Sequence, residues 1–505
     1  MDDQQQHTRS EFWAQSVLLA GSIGLSIILC APVLNAPLVS DDWVLLDALV
    51  RKGIWGAWGG GGHEMLGFFR PLMTLTLWVN LKIGGLNPLG YHLVNAVIHG
   101  IAAWLVLIVV WLLLVRLGRE TRNSAIMILG AWLLFLVHPS HGEPVAWVSS
   151  RPDLMACALA LGALAMWISA SGRPASGSLR RGLAGLLFVL ALLAKESAIV
   201  LPLIILAYEF ILGSSGSVGS RIPRALRRTW PLFLILILFL IVRAAALGHA
   251  VGGYGSGRIL AINPVFWARN LAAATIRSAL PAIASPGSKI IYPAIVLLFA
   301  AGVLAALAYQ VIKMRSHGVK GPHRAPVIAF CLAAFLISLA PIINLPLSIR
   351  SSEGERFIYL ASAFMAMAMA IGIGTILRRS CNSILCAIVC LYFVGMAHSL
   401  GVWREAGAIA GSIVHQVQSG TRMKGIEWIE VTNLPDHYRG AYVFRNGFAE
   451  ALRLNGISKE QVPEIKIKSL HPILTAEDKT IMSITIKMPP HEGEVYRTRL
   501  PRDKE

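Results

Sequence analysis

Charged residues are scarce in this chain. Asp, Glu, Lys and Arg together make up 14% of the 505 residues, whereas hydrophobic residues make up 55%, and the mean hydropathy is +0.63. Soluble globular domains typically contain about 25% charged residues. This composition therefore excludes a soluble protein over most of the length and indicates a polytopic membrane protein.

Cysteine is also scarce, and its placement excludes two classes of protein. All six cysteines lie in or beside apolar segments, and none lies beyond residue 402. A secreted disulfide framework or a paired-cysteine zinc site would need exposed, suitably spaced cysteines. The first apolar segment is long and lacks a basic start and a small-residue cleavage site, so we expect a retained membrane anchor rather than a signal peptide.

Apolar segments approach the roughly 20 residues that cross a bilayer. We predict about eleven transmembrane helices, at Trp13–Val33, Leu89–Val115, Ser124–Val137, Leu154–Ser169, Leu183–Ala194, Ala198–Leu212, Trp230–Leu247, Ile291–Ile312, Val327–Leu345, Phe357–Leu377 and Ile384–Val402.

The net charge of +18 could suggest a nucleic-acid partner, but its distribution indicates membrane orientation. If the N-terminus is inside, the inner connections carry sixteen Lys and Arg against one acid, Glu120. The outer connections carry twelve bases and nine acids. This asymmetry follows the positive-inside rule, and eleven crossings then place the C-terminus outside. No nucleic-acid partner is implied.

The chain divides into a membrane domain, residues 1–402, and a soluble outer α/β domain, residues 403–505. Alternating apolar residues predict strands at Trp428–Val431, Ile465–Lys468 and Met482–Met488, and a helical pattern begins at Phe444. The first outer connection, about 35–88, and the fourth, about 248–288, are long, and long loops often carry function. Within them, 68–78 and 264–280 predict helices lying in the membrane interface.

Polar clusters in the outer connections are candidates for chemistry. Asp41 and Asp42 follow the first helix, where they are either solvated loop acids or catalytic carboxylates. His138, His141 and Glu143 lie in a second cluster that ends with Arg151-Pro152-Asp153. Their residue types suit a divalent metal, but a proline-ordered turn is the simpler interpretation.

Three further features carry charge near the membrane. Lys195 and Glu196 interrupt an apolar stretch, either as an ion pair at a hairpin tip or as functional groups. Arg243 falls near the outer end of a helix, where it could hold a lipid phosphate. Arg356, close to Tyr359, either anchors a helix by snorkelling or binds phosphate through its planar fork.

These clusters occur in a familiar order. The chain resembles the transmembrane and tetratricopeptide repeat O-mannosyltransferases and their bacterial relatives, members of the GT-C superfamily of polyprenyl-phosphate-sugar glycosyltransferases. The resemblance covers about residues 15–400, although the repeats themselves are not recognisable. It is carried by Asp41-Asp42, Phe69-Arg70-Pro71-Leu72, Gly85-Leu86-Asn87-Pro88, Tyr91-His92-Leu93-Val94-Asn95, His99, His138-Pro139, Arg151-Pro152-Asp153-Leu154, Ala194-Lys195-Glu196 and Glu355-Arg356-Phe357-Ile358-Tyr359-Leu360.

The resemblance implies an all-α, GT-C-like membrane enzyme in the plasma or bacterial inner membrane. The expected reaction moves a sugar, mannose or another hexose, from a polyprenyl-phosphate donor to a protein, lipid or polysaccharide hydroxyl outside the membrane, with inversion. Asp41 or Asp42 would be the base. The resemblance specifies no cofactor, and a divalent metal stays possible. The expected substrate-binding residues are Arg70, His138, His141, Glu143, Arg151, Lys195, Glu196, Arg243, Arg356 and Tyr359.

Two other classes of function stay open from the sequence. A lipid or glycan transporter would show polar breaks near the bilayer midplane and internal repeats, and neither is clear here. A non-catalytic envelope scaffold would depend on the C-terminal domain rather than on the aspartates.

Overall fold

A computed structural model describes most of the chain. The described residues are 2–58, 68–115, 122–171, 174–213, 218–249, 261–282, 324–377, 379–420, 428–457, 464–467, 470–471, 481–487 and 494–499. The predicted transmembrane segment Ile291–Ile312 lies outside them.

Helices dominate the structure. They are α1 (Asp2–Cys30), α2 (Asp41–Trp58), α3 (Pro71–Gly84), α4 (Pro88–Val115), α5 (Arg122–Leu136), α6 (Gly142–Ala146), α7 (Arg151–Ala170), α8 (Pro174–Ala194), α9 (Leu201–Tyr208), α10 (Val218–Leu247), α11 (Pro264–Arg277), α12 (Ala325–Leu339), α13 (Tyr359–Ile376), α14 (Cys381–Gly420) and α15 (Phe448–Leu454). Short 3₁₀ segments include Pro139–His141, Val148–Ser150, Glu196–Val200 and Glu355–Ile358.

Nine helical segments within the described residues are long and apolar enough to cross a membrane. A tenth crossing is formed if Asn123–Leu136 and Pro139–Ala146, which meet at a 43° bend, act as one broken span. The prediction of an all-α polytopic membrane protein is confirmed. The bend follows from His138-Pro139, because proline lacks the N–H that would continue α5.

Helix α7 lies at the centre of the bundle and is almost wholly buried. It packs against α4 and α8. Its small residues, among them Ala156, Ala160, Gly162 and Ala163, let neighbouring backbones approach closely, which is how helices associate in lipid. The N-terminus of α7 therefore has a fixed position relative to α3, α4 and α8.

The described residues of the first long connection are largely helical. Asp41 and Asp42, which we expected beyond a helix in a loop, instead form the first turn of α2. Acidic side chains are favourable there because the helix dipole is positive at its N-terminus. Helices α3 and α11 occupy the two regions predicted as interfacial helices.

Helix α14 is unusually long. Its 40 residues span about 60 Å, roughly twice the hydrocarbon core of a bilayer. The helix is continuous through residues 402 and 403, where the sequence suggested a domain boundary. Its far end therefore extends well beyond one membrane thickness.

After α14 the chain forms strands and one short helix. The strands are β1 (Trp428–Thr432), β2 (Leu434–Pro435), β3 (His437–Tyr438), β4 (Ala441–Tyr442), β5 (Glu464–Ile467), β6 (Leu470–His471), β7 (Ile481–Lys487) and β8 (Glu494–Arg499). The main sheet has the order β5-β1-β7-β8, in which only β1 and β5 pair in parallel. The three strands predicted from alternation are present, and the helical pattern begins at Phe448 rather than Phe444.

Candidate functional site

A polar pocket opens where the start of α2 meets the start of α3 and three short segments between helices. It is lined by Asp41, Leu45, Phe68, Arg70, Met73, Thr74, Trp147, Ser149, Asp153, Lys195 and Arg356. Four residues expected from the sequence therefore share one cavity wall, namely Asp41, Arg70, Lys195 and Arg356. Asp153, at the first turn of α7, also lines the pocket and was not among the expected site residues.

The two adjacent aspartates differ in environment. Asp42 is buried, and its Oδ1 accepts hydrogen bonds from the Ser149 backbone N–H at 2.8 Å and from the Ser149 hydroxyl at 2.6 Å. Its Oδ2 accepts a third bond from the Val39 N–H at 3.2 Å. Asp41 is partly exposed and lines the pocket. Asp42 is thus held by hydrogen bonds inside the protein, whereas Asp41 faces the cavity.

Burial shifts the acidity of both aspartates in the same direction. Burial raises the pKa of Asp42 from 3.8 to about 7, against the lowering effect of its hydrogen bonds to Ser149 and Val39. Burial also raises the pKa of Asp41, and a hydrogen bond from Asn446 and the charges of Arg356 and Arg445 oppose that rise. A carboxylate with a raised pKa is a better proton acceptor near neutral pH.

Each cation of the pocket has an acidic partner. Arg70 makes a two-point contact with Glu196, at 2.6 Å from Nη2 and 3.1 Å from Nε. Lys195 Nζ lies 2.5 Å from Asp153 Oδ1, with both side chains buried. Lys195 and Glu196 thus contact different partners, instead of forming the hairpin-tip pair that we considered, because the 3₁₀ turn begins between them.

Arg356 lies in an aromatic and acidic frame. Its guanidinium forms an ion pair with Glu143, and its backbone N–H donates to Glu143 Oε2 at 3.0 Å. The guanidinium carbon lies 4.8 Å from the ring centre of Trp147 and 4.4 Å from that of Phe357. Cation–π contacts of this kind hold an arginine in place. The charge of Arg356 is therefore fixed at the rim of the pocket.

Arg151 lies away from the pocket wall. It is completely buried, and it donates to Asn95 Oδ1 at 2.8 Å, to Asn80 Oδ1 at 2.7 Å and to the Tyr91 carbonyl at 3.0 Å. These partners lie on α3 and α4. Arg151 therefore joins three helices whose ends surround the pocket.

His138, His141 and Tyr359 belong to a separate buried cluster. His138 Nε2 contacts the Ser278 carbonyl at 3.0 Å, and His141 Nε2 contacts the Ser362 hydroxyl at 2.9 Å. Because Glu143 is engaged by Arg356, the three potential metal ligands do not converge on one point. No group of three or more His, Cys, Asp and Glu side chains in the described part of the chain is arranged to hold a metal ion.

Two more charged groups surround the site. Arg243, on α10, lies with Nη1 3.9 Å from Glu196 Oε2, so it adds positive charge behind the Arg70–Glu196 pair. Arg277 and Glu355 form a fully buried ion pair that sequence analysis did not identify. Their positions in the sequence were the available signal, since Arg277 lies near the end of a predicted interfacial helix, 264–280, and Glu355 precedes Arg356.

The segment 434–457 contacts residues that line the pocket. Asn446 Nδ2 donates to Asp41 Oδ1 at 2.6 Å, and the ring of Tyr442 lies 4.6 Å from that of Trp147. Arg453 contacts Asp47 of α2 at 2.6 Å. Sequence analysis assigned these C-terminal residues no part in the site, because their proximity depends on tertiary packing.

The chain is similar in sequence to several curated proteins. No family model matches the chain. Over 195 residues it is 36% identical to the protein O-mannosyl-transferase Tmtc1 of Drosophila melanogaster, and over 171 residues it is 41% identical to TMTC4 of Mus musculus. These matches cover 36% and 29% of this chain but only 21% and 22% of the relatives, so the matched region is about a fifth of their length.

Among solved structures, the chain is similar to the oligosaccharyltransferase AglB of Archaeoglobus fulgidus in complex with an inhibitory peptide and a dolichol-phosphate. The likeness covers 81% of this chain and 59% of that protein, with 15% identity and a TM-score of 0.43. The resemblance carried by the ordered sequence motifs is confirmed by the curated relatives: this chain is a membrane protein similar in sequence to the TMTC protein O-mannosyl-transferases.

Proposed function

We propose that this protein is a membrane glycosyltransferase that moves a hexose from a polyprenyl-phosphate donor to a hydroxyl acceptor. The observation that carries the proposal is that the Asp41 carboxylate lines one cavity together with Arg70, Lys195 and Arg356. A carboxylate able to take a proton beside fixed positive charge is what sugar transfer from a lipid phosphate requires.

The proposed reaction is a single displacement. The acceptor oxygen forms a bond to the anomeric carbon while the bond from that carbon to the phosphate oxygen breaks. Asp41 takes the proton of the acceptor hydroxyl, and polyprenyl phosphate leaves with the bonding electrons. One displacement inverts the configuration at the anomeric carbon.

Asp41 is the preferred base because Asp42 is buried and both of its carboxylate oxygens are engaged inside the protein. Asp42 accepts three hydrogen bonds from Ser149 and Val39 inside the protein. Asp41 is partly exposed to the cavity where an acceptor would lie. Asp42 then fixes the first turn of α2 and so sets the position of Asp41.

Arg70, Lys195 and Arg356 would stabilise the negative charge that develops on the leaving phosphate. Their ion pairs with Glu196, Asp153 and Glu143 keep the three cations in place before the donor arrives. Preorganised charges need little rearrangement during the reaction, which is the main source of electrostatic catalysis. The donor phosphate would join these pairs rather than replace them.

The names of the relatives favour mannose as the sugar and a protein hydroxyl as the acceptor. The positive-inside asymmetry favours a pocket on the extracytoplasmic side, since Asp41, Lys195 and Arg356 all fall in connections assigned to the outside. The C-terminal segment that contacts Asp41 would lie on the same side. We expect the protein in the plasma membrane or, in a bacterium, the inner membrane.

The proposal is tested with purified protein in lipid nanodiscs supplied with radiolabelled polyprenyl-phosphate mannose and a membrane extract containing acceptors. Wild type should consume the donor and label an acceptor that mass spectrometry then identifies. Asp41→Asn should lower the rate about 10²- to 10⁴-fold, the contribution of a positioned base. Glu405→Gln is the control, because Glu405 is a part-buried acid of α14 that does not line the pocket.

Three outcomes would reject the proposal. If Asp41→Asn transferred sugar at the wild-type rate, Asp41 would not be the catalytic base. Labelled lipid crossing the bilayer without being consumed would indicate a transporter. An inactive wild type whose cellular role depends only on the C-terminal domain would indicate a scaffold.

A further inference from the structure

The segment 434–457 is attached to the site by hydrogen bonds as well as by packing. The Ser40 N–H donates to the Val443 carbonyl at 2.9 Å, and the Asn446 N–H donates to Ser40 Oγ at 3.3 Å. Arg445 forms a 2.8 Å ion pair with Glu353. These contacts join the C-terminal part to the residues immediately before α2 and to the loop before Arg356.

Gly447 allows the C-terminal segment to pack closely against Ser40. Its φ is +81°, and a Cβ atom added there would lie 2.3 Å from the Ser40 carbonyl oxygen. Only glycine fits both the backbone conformation and the space. The preceding residue, Asn446, is consequently held against the first turn of α2.

Asn446 uses this position to contact Asp41. Its side-chain amide donates to Asp41 Oδ1 at 2.6 Å, across 405 residues of sequence. The amide is itself oriented, because the backbone N–H of the same residue is bonded to Ser40. One carboxylate oxygen of Asp41 is thus restrained by a donor that lies in the C-terminal segment, outside the membrane helices.

We propose that Asn446 is a positioning residue for Asp41, so that the C-terminal segment completes the active site. The inference rests on the proposed function, in which Asp41 is the base. A donor fixed on Oδ1 orients the carboxylate so that its other oxygen receives the acceptor proton. A base held in productive geometry avoids the cost of ordering it during the reaction.

The same contact affects acidity. A hydrogen bond to the ionised carboxylate lowers the pKa of Asp41, and the charges of Arg356 and Arg445 act in the same direction, against burial. The other charged groups of the cavity are Arg70, Lys195 and Asp153, and the buried Asp42 adjoins Asp41. Loss of the amide donor should raise the pKa of Asp41, so that a higher pH is needed to ionise the base.

The experiment is a pH profile of sugar transfer for wild type, Asn446→Ala and Asn446→Asp in nanodiscs with the labelled donor. In both variants the acidic limb of the profile should move to higher pH, and the plateau rate should fall about 10-fold or more. Asn446→Asp preserves size and backbone bonding but replaces the donor with a carboxylate, whose negative charge should move the acidic limb further toward high pH, so it serves if Asn446→Ala is poorly folded. Asn455→Ala is the control, since that side-chain amide also donates one hydrogen bond, to the Ala451 carbonyl at 2.8 Å, away from the pocket.

The possible results separate the two proposals. If the acidic limb and the plateau rate are unchanged in folded Asn446→Ala or Asn446→Asp, the positioning role is overturned, even if Asp41→Asn is inactive. Wild-type transfer by Asp41→Asn would overturn the proposed function itself. A uniform rate loss without movement of the limb, equal to that of Asn455→Ala, would mean that Asn446 only stabilises the fold.

Discussion

Asp42 is joined to Ser149 by two hydrogen bonds to a single carboxylate oxygen, from the backbone N–H at 2.8 Å and from the hydroxyl at 2.6 Å. Ser149 precedes α7, the buried central helix, so these bonds tie the first turn of α2 to the middle of the bundle. Asp41, one residue earlier, consequently has a defined place in the pocket.

The first prediction concerns Asp42 and pH. Its pKa is about 7 in the folded protein and 3.8 without burial, so the folded state binds more protons between these values. Its contribution to the free energy of unfolding is fully present below about pH 4 and is lost as pH rises through 7. We expect thermal unfolding in detergent to show a lower midpoint at pH 8 than at pH 5.

Asp42→Asn should remove this part of the pH dependence, because the amide does not titrate. The midpoint of the variant should be lower at pH 5, where it loses the protonated carboxyl and places an amide donor near the Val39 N–H. The difference from wild type should shrink toward pH 8. Parallel wild-type and variant curves would show that Asp42 does not titrate in this range.

The second prediction concerns Arg356. Arg356→Lys keeps the positive charge but loses the planar fork that suits phosphate. Transfer should slow about 10- to 100-fold, in line with about 1.5 to 3 kcal/mol for a hydrogen bond to a charged group. The measurement is the rate with saturating donor, compared with Arg350→Lys, an exposed arginine of the same loop. Equal rates for the two variants would exclude a specific role for the guanidinium.

The third prediction separates stability from activity at Lys195. The Lys195–Asp153 pair is buried, with side chains 4% and 7% exposed. Lys195→Met leaves a buried carboxylate without its cation, which typically costs about 3 to 5 kcal/mol. The double variant Lys195→Met/Asp153→Asn should recover most of the unfolding free energy while transfer stays low.

Lys82→Met, an exposed change on α3, is the control for that pair of variants. If the double variant recovers activity together with stability, the lysine has only a structural role and does not stabilise the leaving phosphate.

The fourth prediction compares two glycines of the C-terminal segment. Gly447 and Gly456 both have positive φ, +81° and +91°, but an added Cβ meets the Ser40 carbonyl only at Gly447. Both alanine variants should carry the backbone strain, which is of order 1 to 3 kcal/mol. Only Gly447→Ala should also displace Asn446 and reduce sugar transfer.

Unfolding midpoints and transfer rates measured together check this comparison. A loss of activity confined to Gly447→Ala, with both variants folded, would support the docking of the segment on α2. Equal activity in the two variants would show that this docking is not needed for catalysis.

Much of the fold follows from the sequence, because transmembrane helices are recognisable as long apolar segments. Helix α2 was missed, since it carries Asp41 and Asp42 at its start and a glycine at 53 with φ of +64°. Its signal was the apolar spacing of Trp43, Leu46 and Leu49, which is helical. That spacing lies in a connection too polar to span a bilayer, so it was not recognised as a helix.

Four of the residues expected from the sequence line the pocket, but the contacts that hold them were not predictable. Ionisable groups near the membrane identified Lys195 and Arg356. Their partners, Asp153 and Glu143, depend on how distant helices pack, which residue spacing does not reveal. Asn446 was missed for the same reason, although the Asn-Gly pair at 446 and 447 is a turn signal beside the basic Arg445.

The most direct test of the account is the rate of mannose transfer by Asp41→Asn, measured beside wild type and Glu405→Gln in the same nanodiscs. We expect Asp41→Asn to be folded, to bind the donor and to transfer sugar about 10²- to 10⁴-fold more slowly, whereas Glu405→Gln, a change outside the pocket lining, should keep a rate close to that of wild type. A folded Asp41→Asn protein that transfers mannose at the wild-type rate would contradict it.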